Sequence, residues 1–209
     1  TKVSTPTGAN KAGSFIPKTD GILGPATFIG PDDVYGLFTG LPTSTPTEIA
    51  FSAIGKHTKE GSANTRTYLG LNTAAAKQIT LSFSSTTSTG FLCWMGNASV
   101  PNWGLGNVPT GTYFAQICVS FSRNIINFTL LDMHTGLVRQ GTSTPTMSAP
   151  AGDGTATVGG DSQVDGIQGQ LAAGLITLNN YVSLQQQKSI AEDPWGLWYP
   201  QQGYELSFV

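Results

Sequence analysis

Charge is what this chain has least of. Only 11% of its 209 residues are Asp, Glu, Lys or Arg, against about 25% in an average soluble domain. Surface helices need charged outer faces, so so few charges argue against a helical protein. The net charge is −2 and the basic residues are scattered. No broad positive field is available to hold a phosphate backbone, and nucleic acid is set aside as a partner. No apolar run approaches the roughly 20 residues of a membrane span. The first residues, Thr1-Lys2-Val3-Ser4-Thr5-Pro6, contain no apolar signal core. The reading is of a protein that is soluble, or part of a soluble assembly, with no membrane partner.

Cysteine and histidine are equally scarce. Cys93 and Cys118 each sit in an apolar run. Two buried free thiols are the preferred reading, because two cysteines do not make a disulfide framework. His57 and His134 are the only histidines. No Cys/His zinc spacing exists, and no cofactor is expected. Asp132 lies two residues before His134, but no nucleophile motif accompanies the pair, which reads as a solvated hairpin turn. Gly104-Leu105-Gly106 and Gly159-Gly160 lack the Lys-Ser/Thr ending of a phosphate loop.

What the chain does have is 26 Gly, 12 Pro and many Ser and Thr, the currency of short strands and tight turns. Residues 1–24 read as an extended arm, mobile alone or ordered by a neighbour. Residues 25–209 read as one β-sandwich domain. Ile49, Phe51 and Ala53 alternate with polar or small residues, the period of a half-buried strand. Further strands are expected at 67–71, 79–83, 91–95, 113–121, 125–131, 137–140, 155–158 and 168–178. Tyr113, Ala115, Ile117, Val119 and Phe121 share one face, and Ile126, Phe128 and Leu130 continue it after the turn Ser122-Arg123-Asn124. That spacing predicts an antiparallel hairpin. One short helix is expected near the end: Ser183-Leu184-Gln185-Gln186 reads as a capping box, and Pro194 stops the segment 184–192. The fold class is therefore all-β, an antiparallel jelly-roll sandwich with an N-terminal arm and one short C-terminal helix.

The order of features resembles the laminin-G-like, concanavalin-A-like lectin/glucanase superfamily. Phe28-Ile29-Gly30-Pro31-Asp32-Asp33-Val34-Tyr35 is similar to the Phe-x-Gly-x-Asp-Asp-Tyr first strand of such domains. Gly111 to Phe121 sits where the family has Gly-x-Trp-x-x-Val-x-x-Thr-Tyr, with Tyr113 in place of the Trp. Ala156-Thr157-Val158-Gly159-Gly160, followed by Gly166 to Ile176, resembles the closing strands. Ser183 to Trp198 is similar to the Ser-x-x-Glu-Ile-x-x-Leu-x-x-Asn-Pro-Trp-x-Leu ending found in tailed-phage members. The resemblance covers residues 25–200.

A glucanase of this superfamily would carry Glu-x-Asp-x-Glu on one strand, which places the carboxylates on one face. The four glutamates, Glu48, Glu60, Glu192 and Glu205, have no such spacing, so the sequence reading is that the chain is not an enzyme. Laminin-G-like domains often bind calcium at a rim, and Asp32-Asp33 and Asp153/Asp161/Asp165 are the carboxylate clusters available. Turns use Asp and Gly anyway, so no metal ligand is assigned. Asn97-Ala98-Ser99 and Asn127-Phe128-Thr129 match the glycosylation pattern and are read as chance matches.

The aromatics are the remaining surface signals. Trp103, between Asn102 and Asn107, falls in an expected loop. An exposed Trp there can stack on a sugar or anchor a protein; the competing and preferred reading is that it folds back to cap the sandwich. Trp195, Trp198 and Tyr199 follow the helix and pack it on the sheet or on a neighbouring subunit. The resemblance implies a virion protein of a tailed bacteriophage, made in the host cytoplasm and carried on the capsid or tail surface. Capsid decoration, cementing a shell of major capsid protein or another virion protein, is the leading expectation. It would come with symmetric clustering such as trimers. The alternative is a carbohydrate-binding module of a head or tail fibre that takes a surface glycan.

Overall fold

The computed structural model describes residues 14–16, 27–29, 36–58, 65–74, 78–84, 90–95, 103–159 and 169–198. Within them the chain forms β1 (Ser14–Ile16), β2 (Thr27–Ile29), β3 (Gly36–Thr39), β4 (Glu48–His57), β5 (Thr65–Thr73), β6 (Gln78–Ser84) and β7 (Phe91–Met95). β8 (Trp103–Leu105), β9 (Gly111–Ser120), β10 (Ile125–Asp132), β11 (Val138–Ser143), β12 (Gly152–Val158) and β13 (Gly169–Leu178) follow. A helix, α1 (Leu184–Glu192), and a 3-10 turn, Pro194–Leu197, end the described chain. Two antiparallel sheets result. One has seven strands in the order β1-β2-β13-β4-β9-β10-β11, and the other six in the order β3-β12-β5-β6-β7-β8.

Alternation along the strands decides which residues meet. Ile49, Phe51 and Ala53 of β4, Tyr113, Ala115, Ile117 and Val119 of β9, and Ile126, Phe128 and Leu130 of β10 point into one core. From the opposite sheet they meet Tyr68, Leu69, Leu71, Ile79, Leu81, Phe83, Phe91 and Cys93. The expected β9–β10 hairpin is present, with Ile125 opposite Ser120 and Asn124 in the left-handed region at φ 51°. Its inward set is the one the spacing predicts. Burying each large apolar side chain is worth about 1.5–3 kcal/mol, so this double layer is the main source of stability.

The intervening residues of the seven-stranded sheet face outward, yet they are buried too, because α1 lies over them. Ile54, Phe114 and Leu131 pack with Ala191 and the half-buried Trp195, Leu197 and Trp198. Ala50, Cys118 and Val182 form a second small cluster with Tyr181 and Ile190. Gln187 is fully buried and accepts from the Thr129 hydroxyl at 2.8 Å, tying the helix to β10. The helix begins where expected: Ser183 Oγ accepts from the Gln186 N–H at 3.3 Å, and Gln186 Oε1 accepts from the Ser183 N–H at 2.9 Å. Pro194 closes α1 and opens the 3-10 turn. Replacing Ser183 by alanine is expected to cost about 1 kcal/mol in denaturant unfolding, since one orphan helix N–H loses its acceptor.

Both cysteines are free and buried, on different layers. Cys93 lies between the sheets and Cys118 lies under the helix. Burial pushes the Cys93 thiol up to about 12 and, partly offset by the Val182 N–H, the Cys118 thiol up to about 11. On one side the sandwich is closed by β8 against β11, where a Cβ at Gly141 would come within 2.8 Å of Leu105. The other side keeps an apolar slot of about 210 Å³ between Leu69, Ala156 and Val158 of one sheet and Gly174, Leu175 and Ile176 of the other.

Two expectations meet a different arrangement. Trp103, read as a loop residue, belongs to β8, because Leu105 packs on the core and pairs with Phe91, while Trp103 pairs with Cys93. The expected first strand, 28–35, is split: 28–29 belong to β2, 30–35 lie outside the described residues, and β3 starts at Gly36. Of the arm, 14–16 form β1, which pairs with β2 at the sheet edge; the rest of residues 1–24 lies outside the described residues.

Candidate functional site

The rim beside β8 and β11 gathers side chains of mixed chemistry. A pocket of about 170 Å³ is lined by Pro109, Tyr113, Leu130, Asp132, Leu137 and Arg139. Each wall has a local cause. Asp132 ends β10, and the chain turns through 133–136. The Asp132 N–H donates to the Leu137 carbonyl at 2.9 Å and the Gly136 N–H donates back at 2.8 Å. Asp132 Oδ1 accepts from the N–H groups of His134 at 2.9 Å and Thr135 at 3.3 Å. Gly136 takes φ +73°, a conformation only glycine adopts freely. The turn leaves Leu137 61% exposed, the one large exposed hydrophobic among the described residues.

The facing wall is the loop 106–110. Buried Val108 anchors it. Tyr113 donates its hydroxyl to the Pro109 carbonyl at 2.9 Å. Arg139 Nη1 donates to the Asn107 carbonyl at 3.0 Å. The loop sits tightly over Gly90, where a Cβ would meet Val108 N at 2.4 Å and Gly106 O at 2.5 Å. Both are backbone atoms and cannot swing aside. Gly90→Ala is therefore expected to cost about 1–3 kcal/mol by overpacking and to displace the Asn107 carbonyl from Arg139. Denaturant unfolding measures the first effect, and amide chemical shifts of residues 106–110 report the second.

The electrostatics are balanced. Burial raises the Tyr113 phenol above its ordinary value, the Asp132 charge raises it further, and Arg139 works in the opposite direction. For Asp132, burial pushes upward. The His134 and Thr135 N–H groups, the Thr135 hydroxyl and the His134 charge outweigh it, so the carboxyl lies below its usual range. The pocket thus holds a carboxylate, a guanidinium, a phenol and an aliphatic patch.

Of the sequence-flagged residues, Asn107 lies at this rim through its carbonyl, and the backbone of Trp103 lies in the adjoining strand β8. Trp195 and Trp198 lie elsewhere, on the outer layer with α1, stacked edge-on at 6.3 Å. Asn102 and Tyr199 lie outside the described residues. In the sequence Leu137 and Arg139 are only strand residues and Tyr113 is a strand residue in place of the family's Trp; no local signal marks them as a site, since three separate segments make the pocket. Asp132 and His134 form the turn that was expected. Among the carboxylates weighed for calcium, Asp153 lies in the irregular start of β12 and accepts from the Thr155 N–H at 2.8 Å and hydroxyl at 2.7 Å. Asp32, Asp33, Asp161 and Asp165 lie outside the described residues. Among the described residues no three His, Cys, Asp or Glu side chains cluster as a metal would need. No described helix is long and apolar enough to cross a membrane. Asn127 is buried against Tyr181, out of reach of glycosylation.

Together these features define an antiparallel β-sandwich of jelly-roll type with a small, mixed-polarity pocket on its rim. No family model and no curated protein matches the chain. Solved structures do. Full-length tailspike protein 2 of the Escherichia coli O157:H7 bacteriophage CAB120 aligns at TM-score 0.61 and 13% identity, over 92% of this chain and 28% of that one. The enzymatically active domain of tailspike protein 2 from bacteriophage CBA120 aligns at 0.56 and 13%, over 88% of this chain and 30% of that one. A GH54 α-L-arabinofuranosidase aligns at 0.58 and 12%, over 80% of this chain and 40% of that one. This chain spans less than half the length of each.

These likenesses correct one expectation. The sequence reading excluded an enzyme because Glu-x-Asp-x-Glu and a triad are missing. The same sandwich is nevertheless found in a tailspike's enzymatically active domain and in an arabinofuranosidase. A spacing motif detects only carboxylates that share one strand. Acids converging from separate loops leave no such mark, and fold alone does not decide chemistry.

Proposed function

We propose that this chain is a recognition module of a tailed-phage virion, of concanavalin-A-like type, which binds a surface carbohydrate at the rim pocket during host attachment. The observation that carries the reading is the pocket itself. Sugar hydroxyls both donate and accept, and their ring faces are apolar. Asp132 offers acceptors, Arg139 offers the guanidinium donors not used on Asn107, and Leu137 offers an exposed aliphatic surface. The likeness to tailspike protein 2 along most of this chain supports a place on the virion, as does the phage-type ending around Pro194 and Trp195.

The test is an array of bacterial surface polysaccharides probed with wild type and Arg139→Gln. Wild-type binding that falls at least about tenfold in the variant is expected, as for loss of a charge-assisted hydrogen-bond pair. An array on which the wild type binds nothing overturns the reading.

Capsid decoration is the second reading, favoured by β1. A three-residue strand of the arm pairs at the edge of the seven-stranded sheet, and such a segment can exchange onto a neighbour's sheet edge. Co-sedimentation with undecorated heads at micromolar concentration, lost on deleting residues 1–24, is the result this reading requires. Trimeric or other clustering belongs to it and is tested by sedimentation of the free protein.

A further inference from the structure

Resting on the carbohydrate reading, we infer that the rim pocket selects a 2-acetamido sugar, by enclosing the acetamido group between Asp132, Arg139 and the Leu130–Leu137 wall. The pocket has charges of both signs, each already partly engaged. Asp132 Oδ1 serves the turn, and Arg139 Nη1 serves the Asn107 carbonyl. An anionic substituent would meet Asp132, and a cationic one would meet Arg139. A neutral group with a donor at one end and an acceptor at the other satisfies both walls.

A secondary amide has that shape. Its N–H fits the carboxylate and its C=O fits the guanidinium, and a charged partner makes either bond stronger than a neutral one. The acetyl methyl then needs an apolar contact. Leu130, Leu137 and the Pro109 ring supply it on the remaining side. A hydroxyl in the same place would leave that wall unfilled. Size agrees: about 170 Å³ is below the roughly 300 Å³ at which drug-sized ligands are enclosed, so the pocket takes one substituent and leaves the rest of the glycan on the surface.

The experiment titrates N-acetylglucosamine and glucose, as their methyl glycosides, into the whole chain by saturation-transfer NMR. Wild type, Leu137→Ser and Arg139→Gln are compared. Leu137 is mostly exposed, so its serine variant keeps the fold, which circular dichroism checks. Wild type is expected to prefer the acetamido sugar by about tenfold. Saturation should be strongest on the acetyl methyl, and the preference should fall to about one in Leu137→Ser. Equal binding of the two sugars, or a preference untouched in both variants, overturns this inference while leaving the carbohydrate reading in place. Binding to an array of other glycans with no response to the acetamido sugar does the same. Silence toward every glycan removes both.

Discussion

Phe83→Ala is expected to lower the unfolding free energy by about 3–5 kcal/mol, the usual cost of deleting a buried aromatic ring and leaving a cavity. Phe83 is 2% exposed and joins the two sheets. Its ring lies 4.8 Å from Tyr68 and 5.2 Å from Phe91 on its own sheet, and 4.9 Å from His57 and 6.0 Å from Tyr113 on the other. Domains of this kind are stable by about 5–15 kcal/mol in total, so the variant should sit near the edge of folding. Urea unfolding followed by fluorescence measures it. Because Tyr113 is also a wall of the rim pocket, ligand binding should weaken in the variant under conditions where it remains folded. A loss below about 1 kcal/mol would mean that the sheets do not meet through this ring.

Phe114→Ala should cost a comparable amount through a different layer. Phe114 is the next residue after Tyr113 on β9 and therefore points to the opposite face of the sheet. It is fully buried there, edge-on to Trp198 at 6.4 Å, with Ile54, Leu131 and Ala191 around it. The expected loss is again about 3–5 kcal/mol, but the signature differs. The α1 layer should loosen first, with a red shift of tryptophan emission and loss of helical dichroism before the sheet signal moves. A single cooperative transition with unchanged tryptophan emission in the folded baseline would show that the helix does not depend on this ring. Comparing the two variants separates the inter-sheet core from the helix-covered face.

Several elements were legible because their causes are local. The β9–β10 hairpin follows from alternation on either side of Ser122-Arg123-Asn124, and the register is the one alternation requires. The helix was legible from Ser183, Gln186 and Pro194, since capping chemistry acts within four residues. β8 was not legible. Three residues around glycines carry no period, and Trp103–Leu105 became a strand only by pairing with β7. The rim pocket was legible in part. Asp132 and His134 announced a turn, but Arg139 and Tyr113 read as ordinary strand positions.

By itself the sequence determined the class of this protein: scarce charge, abundant turn residues and period-two runs leave an all-β sandwich with one capped helix as the consistent solution. It also determined which residues of β4, β9 and β10 turn toward the opposite sheet, because the large apolar side chains of those strands recur at period two. The tertiary structure alone decided that the outward face of the seven-stranded sheet is a second core under α1. It alone brought Asp132, Arg139, Tyr113 and Leu137 to one rim. The reason is physical. Propensity, capping and alternation act over a few residues, whereas a binding pocket is a long-range property, set by which strands pair and how two sheets close on each other.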